Sequence, residues 1–124
     1  MKYIKNFLYH WGVSILLMAI IFIFSATPAT NLPNFGTFDY WVKKGGHMVG
    51  YGLLSLSFWH GLKWDNKLIW WAWFLAVVYA ISDEFHQSFV PGRHPSPLDV
   101  ALFDATGAAI TLWIKNILFS PPSL

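Results

Sequence analysis

Polar residues fall in clusters along this chain, and between them run four apolar stretches. The first, residues 7–26, carries no formal charge and follows Lys2 and Lys5. The others cover 45–62, 66–88 and 97–119, and the segment "LIWWAWFLAVVYAI" presents no polar face at any helical register. A helix of a soluble bundle needs such a face. The pattern therefore predicts an all-α fold, an integral membrane bundle of four short transmembrane helices in one domain spanning 1–124. A span takes about 20 residues, so the second stretch, and the third with its apolar part at 68–82, reach that length only with polar residues at membrane depth. The first stretch exceeds the roughly 7–15 apolar residues of a signal-peptide core and is expected to persist as a helix.

The joints between stretches are compact. A loop around 27–44 holds Pro28 and Pro33, "KWDNK" makes a tight turn, and "VPGRHPSP" stops one helix and starts the next. Composition agrees with the pattern: 56% of residues are hydrophobic and 11% charged, against about 25% charged in soluble domains. A net charge of +2 with scattered basic residues gives no footprint for nucleic acid. Without cysteine, disulfides and thiolate metal sites are excluded. If the amino terminus is inside, Lys2, Lys5, Lys63, Lys67 and Lys115 are cytoplasmic, and Lys43, Lys44 and Arg93 are external. That bias favours both termini in the cytoplasm of a multi-pass plasma-membrane protein.

The chemistry concentrates on one membrane face. Alternating helix direction brings "KKGGHMVGY", "SDEFHQSFVPGR" and "SPLDVALFD" together there, although they lie far apart in sequence. Ionisable groups at the membrane boundary are costly and usually face a partner inside the bundle. Asp83 and Glu84 also sit near a helix carboxyl end, where the dipole disfavours negative charge, so Arg93, Lys43 or Lys44 is expected to compensate them. Asp83 shares a helix face with His86 and Gln87, as His47 does with Tyr51. Asp99 reads equally as the acid of a capping box behind Ser96 and Pro97. Asp104 lies deeper, beside the small residues Ala101, Gly107 and Ala108, and is either a buried clamp or the floor of a polar pocket. Gly46 and Gly50 form a GxxxG read as helix packing. His10, His60 and His94 read as interfacial residues.

These segments resemble the VanZ-like family of bacterial membrane proteins. "KKGGHMVGYGLL" is similar to its basic pair followed by His and Tyr, here Lys43, Lys44, His47 and Tyr51. "SDEFHQSFVPGRHPSPLDVALFDATGA" is similar to its Asp-Glu-x-x-Gln stretch, Pro-Gly-Arg turn and Asp-Val helix start: Asp83, Glu84, Gln87, Pro91, Gly92, Arg93 and Asp99. "FIFSATP" resembles an apolar-Ser-x-x-Pro pattern through Ser25 and Pro28. The two prolines of His94-Pro95-Ser96-Pro97 depart from the family pattern, and Asp104 stands where Asp or Asn is usual. The resemblance implies a cell-envelope protein; the founding member lowers susceptibility to teicoplanin-type antibiotics, an antibiotic-resistance role.

Three functional classes follow. In the first, a polar site on the outer face binds or modifies an envelope lipid or lipid-linked precursor, with an anionic or isoprenoid-phosphate head group held by Arg93 with Lys43 or Lys44. The binding set is Lys43, Lys44, His47, Tyr51, Asp83, Glu84, Gln87, Arg93, Asp99 and Asp104. In the second, the chain is an enzyme acting on a lipid-linked phosphate, its candidate catalytic residues His47, Asp83, Glu84 and His86. In the third, the cluster pins short helices together and function lies in a partner, homo-oligomers included. The residue types of His47, Asp83, His86 and Asp99 suit zinc, but their spacing does not specify it; no metal or cofactor is assigned.

Overall fold

The computed structural model describes residues 1–94 and 96–119, and every regular element among them is helical. Helix α1 runs Lys2–Ala26, α2 runs Asp39–Gly61, and α3 runs Ile69–Gln87 after a 3-10 turn at Asn66–Leu68. The fourth helix, α4, begins as one turn at Pro97–Asp99, passes through a π segment at Val100–Asp104 and continues as an α-helix over Ala105–Phe119. The expected order and number of helices hold. Helix α1 starts at Lys2 rather than near residue 7, and α2 at Asp39 rather than near 45, which moves Lys43 and Lys44 out of the loop and onto the helix.

Side chains are distributed as they are in lipid. On α1 the buried residues are Ser14 and Ser25, while Leu8, Leu16, Phe22 and Phe24 point outward. Ser14 donates to Ser57 of α2 at 2.9 Å. With no water at depth, polar groups find partners inside the bundle and apolar groups meet the acyl chains. Among the described residues three helices are long and apolar enough to cross a membrane: Lys2–Ala26, Asn66–Gln87 and Pro97–Leu118. Helix α2 is not among them, and it packs against all three others.

Close packing rests on small residues. Helix α3 turns Ala72, Ala76, Ala80, Asp83 and Gln87 inward at helical spacing and sends Trp70, Trp71, Phe74 and Phe85 outward. Tyr79 OH reaches across to the Met18 carbonyl of α1 at 2.6 Å. At Gly107 of α4, a Cβ would lie 2.7 Å from the Met48 carbonyl oxygen of α2. The small face predicted around Asp104 is thus a backbone-to-backbone contact.

The GxxxG of α2 behaves otherwise. A Cβ added at Gly46 or Gly50 would meet nothing within 4 Å. The pair therefore packs no other helix of its own chain, and the absent side chains leave open space.

The two kinds of glycine should separate by melting in detergent. Gly107→Val is expected to destabilise by roughly 1–3 kcal/mol, because the backbone it meets has little room to yield. Gly46→Ala should leave the melting temperature unchanged or raise it, since alanine gains up to about 1 kcal/mol in a helix interior. Equal losses in both would refute this division.

Candidate functional site

The site is organised around one carboxylate. Asp83 is 4% exposed, and its Oδ2 accepts from Ser25 Oγ at 2.8 Å, Tyr51 OH at 2.9 Å and Gln87 Nε2 at 3.2 Å. Gln87 Nε2 also lies 3.1 Å from Ser25 Oγ. Three helices therefore meet on a single oxygen. Oδ1 is buried with no hydrogen-bond partner among the described residues. The four-residue spacing of Asp83 and Gln87 does put both on one face, as predicted.

Arg93 does not compensate Asp83 by direct pairing. In Val90-Pro91-Gly92-Arg93 the Arg93 N–H donates to the Val90 carbonyl at 3.2 Å, and Gly92 has φ +75°. Proline followed by a left-handed glycine makes a type II turn. The turn returns the arginine toward the end of α1, where Nε donates to Thr27 O at 3.1 Å and Nη2 to Phe24 O at 2.6 Å. The last carbonyls of a helix lack internal partners and attract cations, so the guanidinium caps α1. Burial pushes the Arg93 pKa down while the nearby Asp83 charge draws it up; an arginine stays charged throughout.

The basic pair divides. Lys43 pairs with Asp39 one turn back at 2.9 Å, a half-exposed pairing that solvent screening keeps weak and easily exchanged. Lys44 pairs with Asp99 and ties α2 to the start of α4. Ser96 occupies the N-cap position without a side-chain cap bond, so the capping-box reading of Asp99 gives way to the ion pair. His47 Nδ1 lies 3.5 Å from Asp104 Oδ1, and the His47 ring stacks near Tyr51 with centroids 6.1 Å apart.

Two predicted members stand outside this group. His86 stacks on Phe22 of α1 with centroids 4.5 Å apart, and its Nδ1 is buried without a partner among the described residues. Glu84, one residue beyond Asp83, turns away into the space between α3 and α4. Among the described residues no three His, Asp or Glu side chains gather as metal ligands, so His47, Asp83, His86 and Asp99 do not form the metal set weighed from sequence.

A cleft of about 440 Å³ opens between α1, the following loop and α2. Ile20, Ile21 and Phe24 form its apolar wall, and Lys43, His47 and Arg93 line it as well. Gly46 and Gly50 form part of its floor, which accounts for the empty space beside them. Ser25 and Tyr51 connect the cleft to Asp83. Ser25 was visible in the sequence only through the family pattern, since a lone serine in an apolar run has no spacing that marks it.

A family model described as VanZ/LLP1 matches residues 10–119. The chain belongs to the VanZ-like family. The match runs from the first helix to the end of the fourth and so takes in every residue of the Asp83 network and of the cleft. No curated protein and no solved structure matches the chain.

The Asp83 network makes an asymmetric demand on substitution. Asp83→Leu strands three donors at about 1–3 kcal/mol each, and a correspondingly large fall in melting temperature is expected. Asp83→Asn keeps one oxygen for the same donors and places its amide where Oδ1 has no partner, so it should cost only about 1–2 kcal/mol. If the asparagine variant unfolds as readily as the leucine variant, the one-oxygen arrangement is wrong.

Proposed function

We propose that the cleft between α1 and α2 binds the phosphate-bearing head group of an anionic envelope lipid, isoprenoid-linked carriers included. The observation that carries this reading is the cleft's composition: an apolar wall on α1 continuous with a rim of Lys43, His47 and Arg93. A phosphate takes charge-assisted hydrogen bonds from such groups, and the alkyl tail lies against Ile20, Ile21 and Phe24. Lys43 is the cation best able to respond, because its pairing with Asp39 is half-exposed and weakened by solvent. Arg93 has already committed Nε and Nη2 to the end of α1, so it shapes the site and adds field.

The same reading makes α2 the fourth span. Its 23 residues measure about 34 Å at 1.5 Å each, enough for a hydrocarbon core of about 30 Å. Its polar residues turn toward the bundle or the cleft. The lysine and arginine bias then sets the cleft on the outer face of a bacterial plasma membrane, with both termini in the cytoplasm. A lipid site there would give the chain a route to altering glycopeptide susceptibility of the teicoplanin type.

A second reading is favoured by one observation. His47 lines the cleft with Nδ1 toward Asp104, and a carboxylate behind an imidazole is the arrangement that orients a general base. In that reading the chain acts on a lipid-linked phosphate and Nε2 of His47 is the nitrogen that moves the proton.

The test is mass spectrometry of lipids from purified protein and from whole membranes, with wild type, Lys43→Ala, His47→Ala and Gly50→Leu compared. Binding predicts a co-purifying anionic lipid that falls about tenfold in Lys43→Ala and disappears in Gly50→Leu, whose side chain fills the floor. Turnover predicts a lipid species in wild-type membranes that His47→Ala abolishes while the bound lipid remains. Identical lipid profiles in all four samples would refute both readings.

A further inference from the structure

A second cleft, of about 760 Å³, lies between α3 and α4. Its lining along α3 runs from Trp73 to Ser88, a distance of roughly 22 Å at 1.5 Å per residue. That exceeds one leaflet's share of a hydrocarbon core about 30 Å thick. Val77, Ile81, Val100 and Ala101 make the wall apolar. Glu84 and Ser88 lie one turn apart toward its upper end.

Every polar group of this cleft accepts rather than donates. The Glu84 carboxylate accepts the backbone N–H of Ser96, while its Oε1 is buried with no hydrogen-bond partner among the described residues. The Lys44 charge lies near enough to act on Glu84, but among the described residues no lysine or arginine pairs with it directly, Lys43 and Lys44 being engaged by Asp39 and Asp99. Ser88 spends its hydroxyl proton on the Phe85 carbonyl at 2.6 Å, leaving only lone pairs. The indole N–H of Trp73 is given to the Ala105 carbonyl at 3.0 Å. A buried acceptor without a donor is costly, and a carboxylate more so.

We propose that this groove binds an aminophospholipid, with its acyl chain along Val77 and Ile81 and its protonated primary amine donating to Glu84 and Ser88. Charge complementarity selects the occupant. A primary ammonium brings three N–H donors to a rim that offers only acceptors. A trimethylammonium head brings the same charge and no donor. A glycerol head has hydroxyl donors but sits on a net negative phospholipid, which the Glu84 carboxylate repels. The π segment at Val100–Asp104 forms part of the opposite wall, and such segments recur where helices build functional sites. This site is separate from the α1–α2 cleft and opposite to it in sign.

The test is native mass spectrometry of the full chain in detergent micelles, titrated with phosphatidylethanolamine, phosphatidylcholine and phosphatidylglycerol of matched chains. Wild type is expected to hold phosphatidylethanolamine about tenfold or more above phosphatidylcholine. Glu84→Gln should erase that preference while phosphatidylglycerol binding, which reads the α1–α2 cleft through Lys43→Ala, stays unchanged. Ala101→Phe leaves Glu84 in place and fills the groove, so it should erase the preference as well and keeps the test open if Glu84→Gln fails to fold. Equal retention of the two zwitterionic lipids by wild type would overturn the proposal, as would a preference that survives Ala101→Phe. A dimer that Ala101→Phe dissolves would also overturn it, because a second copy would then occupy the groove.

Discussion

The burial of Asp83 is the constraint from which the rest of the polar architecture follows. In water a carboxylate at the end of a helix would be solvated and would hold nothing together. At the membrane boundary it must be satisfied from within the protein. Ser25, Tyr51 and Gln87 supply neutral donors from α1, α2 and α3, and all three converge on Oδ2. Neutral donors carry no charge of their own to desolvate, which spares the cost that makes many buried ion pairs unprofitable. Because the donors approach from three helices, this one acceptor fixes where α1 and α2 stand relative to α3. The cleft between α1 and α2 is then the space left above that junction.

The cations are freed by the same arrangement. With Asp83 satisfied by hydroxyls and an amide, Arg93 can cap α1, Lys44 can tie α2 to α4, and Lys43 retains only a half-exposed partner one turn away. A direct Arg93–Asp83 pair would have drawn the guanidinium inward, taking its donors from the Thr27 carbonyl and leaving the Phe24 carbonyl only the Thr27 N–H. The type II turn at Pro91-Gly92 decides between these outcomes, since it aims the chain at the end of α1.

Sequence reasoning reached the four helices and the convergence of three distant segments on one face because both depend on apolar length and alternating direction. It reached Asp83 with Gln87, and His47 with Tyr51, because helical spacing is local. It could not reach Arg93's partners, because backbone carbonyls have no residue-specific signature. Nor could it separate Asp83 from Glu84. Consecutive helical residues differ by about 100°, but which of the two faces inward depends on where the neighbouring helices lie. In a membrane bundle hydrophobicity does not reveal that direction, since the outward face of α3 is more apolar than its inward alanines. Gly46 and Gly50 could not be placed for a related reason. The GxxxG pattern records missing side chains, and a missing side chain serves a packed interface and an open cleft equally well.

That ambiguity has a physical resolution. Gly107 is needed where it stands, because the Met48 backbone occupies the place of any Cβ. Gly46 and Gly50 have no such neighbour, yet each weakens helix α2 by up to about 1 kcal/mol relative to alanine. A helix with two unforced glycines beside Lys43 and His47 forgoes stability for open volume, and that volume adjoins Lys43, a cation held only by a half-exposed partner one turn away. The proposed head-group site accounts for both facts together. Packing within the chain accounts for neither. The adjacent Glu84 extends the same reasoning to the other side of α3, where a carboxylate satisfied only in part, by the Ser96 N–H, lines a groove with an apolar wall. One Asp-Glu dipeptide thus holds the bundle closed with its first carboxylate and leaves the second facing a cleft.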